Sequence, residues 1–330
     1  MKSERKKSFF LSVLLAGISL LPAGRVTAQT FTTLHSFNDA GGTPRAALIL
    51  SGSTLYGTAQ YGGASDNGVV FKVNTDGTGF TVLYGFTALN GNTNSDGANP
   101  IGGLCLSGST LYGTTQYGGS TGNGTLFKVS TNGTGFTNFY SFTAGVAAYT
   151  NIFGNPVYTN SDGAEPYAGL ILSGNTLYGT ANRGGSSGNG TVFAVNTDGS
   201  GFTNLHSFKA TSVVYVSFLR GTNSDGAYPA ADVVLGKNGV LYGTTTLGGR
   251  ATSGSPCSYY GANGCGTVFQ LTAPTTPGGT WTETILHSFT GQNGDGSTPG
   301  PLTSSPDGVL LGPTWTGGSF GQGTVFAVKP

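Results

Sequence analysis

The string Leu-Tyr-Gly-Thr recurs at residues 55–58, 111–114, 177–180 and 241–244, with a degenerate fifth copy, Leu310-Leu311-Gly312-Pro313. The steps between copies are 56, 66, 64 and 69 residues. Self-similarity at this spacing means one supersecondary unit repeated along the chain, each copy relying on its neighbours to bury an apolar face. The fold must therefore be solved once and repeated.

Each copy carries four strand-length segments in fixed order. The first follows a proline: Pro44, Pro100, Pro166, Pro229 or Pro299. The second is the Leu-Tyr-Gly-Thr segment. The third reads Gly-Thr-Val-Phe or close to it, and the fourth spans 80–86, 136–142, 202–208 and 281–289. All are rich in Val, Ile, Thr and aromatics, and no stretch has a helical period. Asp76-Gly77, Asn132-Gly133 and Asp198-Gly199 join segments three and four, and these pairs tolerate the positive φ of tight hairpins. Each unit is thus expected to be a four-stranded antiparallel meander. Radial repetition of such meanders is the blade pattern of a β-propeller. The last unit stops after its third segment, and residues 31–37 match 202–208 as an orphan fourth strand. The expected fold is all-β: a five-bladed propeller whose ring is closed when this N-terminal strand completes the last blade. Closure would leave no unpaired edge. Small residues on the first strand (Ala46-Ala47, Gly102-Gly103, Ala168-Gly169, Ala230-Ala231, Gly300) suit a crowded axis.

Of 330 residues, 59 are Gly without a three-residue period, which excludes collagen, and 20 Phe with 15 Tyr exclude a disordered chain. Residues 1–28 read as a cleaved secretory signal: Lys2, Arg5, Lys6 and Lys7, then an apolar stretch to Leu21, then Val26-Thr27-Ala28. Residues 29–330 are expected to be one secreted, monomeric propeller domain with no membrane span and no C-terminal sorting tail. Removing the signal's five Lys/Arg and one Glu takes the formal net charge from +1 to −3. That surface offers no basic stripe for nucleic acid or anionic membranes.

Leu-Tyr-Gly-Thr followed by Gly-Gly at 184–185, Gly-x-Gly-Thr-Val-Phe at 188–193 and Leu-His-Ser-Phe at 205–208 resembles the Gloeo/Verruco (GloVer) tandem repeat. The resemblance covers nearly all of 31–330. It implies an extracellular or surface protein of a kind often carrying one of several C-terminal anchors, and it brings no catalytic residues.

The candidate chemistry is sparse. His35, His206 and His287 occupy a fourth-strand position where other copies have Tyr84 and Tyr140, which reads as packing on separate blades rather than as a histidine metal cluster. Cys257 and Cys265 lie in an insert of the fourth unit and are expected to form a disulfide, while Cys105 stands at a buried aliphatic position. Asp96, Asp162, Asp225 and Asp295 recur in Asp-Gly-x-x-Pro. They read as turn residues, with Ca²⁺ binding by a carboxylate ring as the functional alternative; no other cofactor is implied. Among the remaining acids (Asp39, Asp66, Glu283, Asp232, Glu165), Asp232 replaces a small first-strand residue and Glu165 precedes Pro166. These two are the candidate catalytic pair for a glycoside hydrolase or lyase.

Loops after the second and fourth strands share one face and hold the long inserts 87–99, 143–165, 209–228 and 250–264. Function on a rigid scaffold concentrates on such a face. Gln60, Tyr61, Gln116, Tyr117, Asn182, Arg183, Tyr228 and Trp315 are the candidate ligand contacts there. The expected role is a non-enzymatic binding module for a glycan or a cell-surface protein.

Overall fold

In a computed structural model, the described residues are 31–37, 42–150, 155–209, 212–216, 218–249, 257, 264–276 and 278–330. The chain divides into two compact units, Met1–Thr33 and Leu34–Pro330. Of the first only residues 31–33 are described, and they form no regular element. The signal reading of 1–28 lies outside the described residues, as does Asp39.

The second unit is built of antiparallel sheets. Sheet I runs Ile49–Ser51, Thr54–Ala59, Val69–Asn74, Thr81–Gly85. Sheet II runs Cys105–Ser107, Thr110–Thr115, Thr125–Ser130, Thr137–Ser141. Sheet III runs Ile171–Ser173, Thr176–Ala181, Thr191–Asn196, Thr203–Ser207. Sheet IV runs Val234–Leu235, Leu241–Thr245, Thr267–Thr272, Thr282–Ser288. In all four the strands pair in chain order. In sheet V, Gly296–Pro299 and Thr303–Ser304 both pair with Leu310–Gly317, which pairs with Thr324–Val328. Among the described residues the sole helical element is the 3-10 turn Lys237–Gly239.

The repeat motif follows from the ladder. Gly57, Gly113, Gly179, Gly243 and Gly312 lie opposite Phe71, Phe127, Phe193, Phe269 and Phe326. Each ring folds over its glycine so closely that a Cβ would come within 2.4–2.8 Å of the ring tip. Leu-Tyr-Gly-Thr and Gly-Thr-Val-Phe are therefore two halves of one packing device.

The core lies between sheets rather than within them. Val70 and Phe86 of sheet I cluster with Leu104, Leu111 and Phe127 of sheet II. Equivalent clusters join II to III, III to IV and IV to V. Phe86, Phe142, Phe208 and Phe289 at the ends of the fourth strands are at most 1% exposed. Each such ring stabilises its seam by about 1.5–3 kcal/mol. A threonine of each second strand adds a polar tie: Thr58, Thr114, Thr180 and Thr244 donate to the carbonyls of Gly102, Ala168, Ala231 and Gly300 in the following sheet, at 2.8–3.2 Å. Sheet V has Pro313 at this position.

The expected closing strand is not formed. Residues 31–37 adopt no strand, and among the described residues Thr324–Val328 pairs only with Leu310–Gly317. The segment is held by side chains instead. Phe37 packs edge-on against Phe71 and Phe80, and His35 stacks on Phe80 at 3.6 Å between ring centroids. Phe86 makes the same contacts with Phe127 and Phe136 one sheet on. Residues 34–37 thus take a fourth strand's seat against sheet I without the backbone ladder.

Two inserts read as loops form hairpins. Val146–Thr150 pairs with Pro156–Thr159, and Ser212–Val216 pairs with Phe218–Ala227. Runs such as Val-Ala-Ala-Tyr-Thr and Ser-Val-Val-Tyr-Val have the β-branched and aromatic content that favours strands.

Candidate binding cleft on the insert face

Every Asp-Gly-x-x-Pro carboxylate latches the end of one fourth strand to the start of the next unit. Asp162 is 3% exposed and accepts from the Tyr140 hydroxyl at 2.7 Å, the Thr143 N–H at 2.9 Å and the Thr143 hydroxyl. Asp96 takes the same three bonds from Tyr84 and Thr87. Asp295 accepts from Thr290 N–H and hydroxyl and faces His287 Nε2 at 3.3 Å. Asp225 accepts from the Lys209 N–H and faces His206 Nε2 at 3.4 Å. Tyr and His interchange at this position because each presents a polar tip to the same carboxylate. The packing reading of the histidines misses the approach of His206 and His287 to Asp225 and Asp295. Burial, then the Asp162 bond, pushes the Tyr140 phenol far above its ordinary value, and Tyr84 follows suit beside Asp96. At Asp225, burial is outweighed by His206 and Lys209, and the carboxyl lies below its usual range. The four carboxylates are engaged at four separate junctions rather than gathered at one point.

A second repeated device sits at the same rim. Thr43, Asn99, Glu165, Tyr228 and Thr298, each directly before a proline, all have φ between 53° and 60°. A non-glycine residue held left-handed costs about 1–3 kcal/mol. The reason lies in the bonds it makes. Glu165 donates its N–H to the Asn123 carbonyl of the preceding sheet, and its carbonyl accepts from the Asn182 N–H of its own. Asn99 and Tyr228 bridge their sheets in the same way. The backbone does the joining on the insert face at Asn99, Glu165 and Tyr228, and Asn99 Nδ2 also donates to the Gln60 carbonyl.

Here the inserts of sheets II to IV enclose a cleft of about 840 Å³. Its lining includes Glu165, Asn182, Arg183 and Tyr228, with Tyr158 from the first hairpin and Thr246. Arg183 Nε lies 3.4 Å from Glu165 Oε1, and its guanidinium stands 5.5 Å from the Tyr228 ring centroid. The Arg183 side chain lines the cleft and is 57% exposed. Tyr158 is also exposed. Burial, then the Glu165 charge, pushes the nearby Tyr117 phenol up to about 12, so it remains a neutral donor.

The structure therefore gathers Asn182, Arg183, Tyr228 and Glu165. The other expected contacts lie elsewhere. Gln60 and Gln116 are buried, and Gln116 donates to the Tyr167 hydroxyl at 2.6 Å, so both point into seams rather than at a ligand. Tyr61, Tyr117 and Trp315 are exposed on their own sheets but do not line the cleft. Asp232 is not in the lining either. Its Oδ1 accepts the Gly169 N–H of sheet III at 2.6 Å. Crowding by the first-strand layer raises its pKa, the Gly169 bond lowers it, and the residue as a whole keeps exposed surface. Val157 was not singled out from sequence, and the alternating Pro156-Val-Tyr-Thr run is the signal that finds it. Cys257 and Cys265 are disulfide-bonded, and Cys105 is a free thiol that burial pushes up.

Residues 23–157 match the family model described as the Gloeobacter/Verrucomicrobia repeat. No curated protein sequence matches the chain significantly. Among solved structures, it is similar to the GH74 xyloglucanase from Xanthomonas campestris (15% identity, 86% of this chain and 36% of that one, TM-score 0.49). It is also similar to PorZ, a surface component of the type-IX secretion system of Porphyromonas gingivalis (14%, 86% and 32%, 0.46). A third is a chain of the nidogen/laminin complex (12%, 84% and 76%, 0.45). The chain spans about a third of the length of the first two.

Proposed function

We propose that this chain, which carries the Gloeobacter/Verrucomicrobia repeat over residues 23–157, is a secreted, monomeric five-bladed propeller that binds a glycan in the cleft around Arg183. The observation that carries the reading is the cleft itself. An exposed guanidinium braced by Glu165, aromatic faces at Tyr228 and Tyr158, and a volume of about 840 Å³ suit a few sugar rings and their hydroxyl or carboxylate groups.

Ring closure is supported by the end faces of the stack. Val325 is 86% exposed, where its counterparts Val70, Leu126, Val192 and Val268 are fully buried. Leu48 is 44% exposed, where Leu104 and Leu170 are below 9%. The two faces are apolar and complementary by repeat position, and Phe37 already packs against sheet I as Phe86 packs against sheet II.

A glycan screen on the full chain, followed by Arg183→Ala, tests the binding role. Binding that is lost in the variant supports it; no ligand from a broad panel, or unchanged affinity in the variant, rejects it. The catalytic alternative needs Asp232 and Glu165 to face one substrate. Asp232 bonds a backbone amide away from the cleft, so binding is the better-supported reading. Polysaccharide turnover abolished by Asp232→Asn would reverse that preference.

A further inference from the structure

Fourth strands of neighbouring sheets meet through a stacked pair of rings. Tyr84 lies on Phe136 at 3.5 Å between centroids, and Tyr140 lies on Phe202 at 4.1 Å. The seam between sheets III and IV breaks this rule. Thr284 pairs with Gln270 as Thr203 pairs with Ala194, so Glu283 stands where Phe202 stands one sheet earlier. His206 therefore meets a carboxylate where its counterparts meet a ring.

The result is an enclosed group of three potential ligands. His206 Nε2 lies 3.4 Å from Asp225 Oδ2 and 3.6 Å from Glu283 Oε2. One ligand atom from each of the three lies within 4.8 Å of the others. Their side chains are 13%, 3% and 9% exposed for His206, Asp225 and Glu283. Glu283 Oε1 is buried with no hydrogen-bond partner among the described residues, and His206 Nε2 makes no hydrogen bond of good geometry. Two buried carboxylates with an unfilled lone pair are costly unless a cation joins them. Lys209 Nζ lies 3.5 Å from Asp225 Oδ2, but its side chain is 70% exposed. Burial, then the Asp225 charge, pushes Glu283 up to about 8.

The geometry points to a site for a divalent transition-metal cation of the Zn²⁺ class, ligated by His206 Nε2, Asp225 and Glu283. One imidazole nitrogen with two carboxylates is a zinc-type donor set, whereas Ca²⁺ takes six to eight oxygens. Tetrahedral ligands at zinc distances stand about 3.4 Å apart, which the existing separations nearly meet. The site is independent of the Arg183 cleft. It stitches the fourth strand of sheet III to that of sheet IV where the ring stack is missing.

The test uses the untagged chain, stripped with chelator and dialysed against ZnCl₂. One equivalent of zinc per chain is expected to be retained, with Tm raised by roughly 5 °C at saturation. Glu283→Phe restores the residue type of the other seams and is expected to fold and to lose both effects. Glu283→Gln keeps the shape and gives the same readout should the ring not fit. His206→Tyr copies sheets I and II and is expected to lose the effects as well. Absence of zinc retention in the wild type, equal retention in the Glu283 and His206 variants, or an equal response to CaCl₂ overturns the proposal.

Discussion

Asp162→Ala tests whether the Asp-Gly-x-x-Pro carboxylate is a structural latch. The carboxylate is almost wholly buried and is the acceptor for the Tyr140 hydroxyl, the Thr143 N–H and the Thr143 hydroxyl. Truncation leaves three donors without their acceptor. A bond to a charged group contributes about 1.5–3 kcal/mol, and an orphaned buried donor costs about 1–3 kcal/mol. These donors are only part-buried, so water entering the gap recovers some of that. A net loss of about 3–5 kcal/mol is expected, or a Tm fall of roughly 6–15 °C by calorimetry. Tyr140→Phe removes one bond and is expected to cost about 1 kcal/mol. The double variant should lose less than the sum, because the two residues share that bond. Asp198→Ala is the control: Asp198 is an exposed hairpin residue whose carboxylate accepts from Ser200, and its loss should leave Tm nearly unchanged. If Asp162→Ala melts with the wild type, the latch does not hold the seam and the reasoning fails.

Three further outcomes are expected. The pKa of Asp232 is raised in the folded chain, so the stability it contributes is complete below its ordinary value of 3.8 and is lost as pH rises through the folded value. Asp232→Asn should therefore gain Tm relative to wild type between acid and neutral pH, and a pH-independent difference would contradict this. Gly113→Ala places a methyl 2.5 Å from the Phe127 ring tip and should destabilise by about 1–3 kcal/mol in urea melts, whereas the same change at Gly108, in open space with φ 58°, tests backbone strain alone. Pro313→Thr supplies the inter-sheet donor that sheet V lacks. If the ring closes, Tm should rise by the worth of one hydrogen bond, about 0.5–1.5 kcal/mol; a neutral or lower Tm argues against closure.

Much of the fold was readable because the repeat states it several times. Strand order, the tight turns and the missing fourth strand of the last unit follow from residue spacing alone, and the disulfide follows from its insert. The readings that failed share a cause: they depend on which side chain faces which across a seam. Tyr140 and His206 look like packing positions until Asp162 and Asp225 are seen beneath them. Gln116 looks like a surface amide until Tyr167 is found beside it. Glu283 was hidden by register. The fourth segment of unit four is two residues longer, so Trp281 aligns naively with Phe202, whereas the ladder puts Glu283 there. The hairpin at 146–159 lies in a segment read as a loop, although its β-branched and aromatic content favours strands.

The left-handed residue before each proline has a consequence for how such a chain diversifies. Its backbone bonds, two at Asn99, Glu165 and Tyr228 and one each at Thr43 and Thr298, are made by main-chain groups, and the five copies carry three different classes of polar side chain and a phenol. A hydroxyl, an amide, an acid and a phenol are all accommodated at the same torsion angles. Mutation at this spot can therefore alter what the rim recognises while leaving the stacked frame beneath it intact, so new binding preferences can arise without compensating changes in the core.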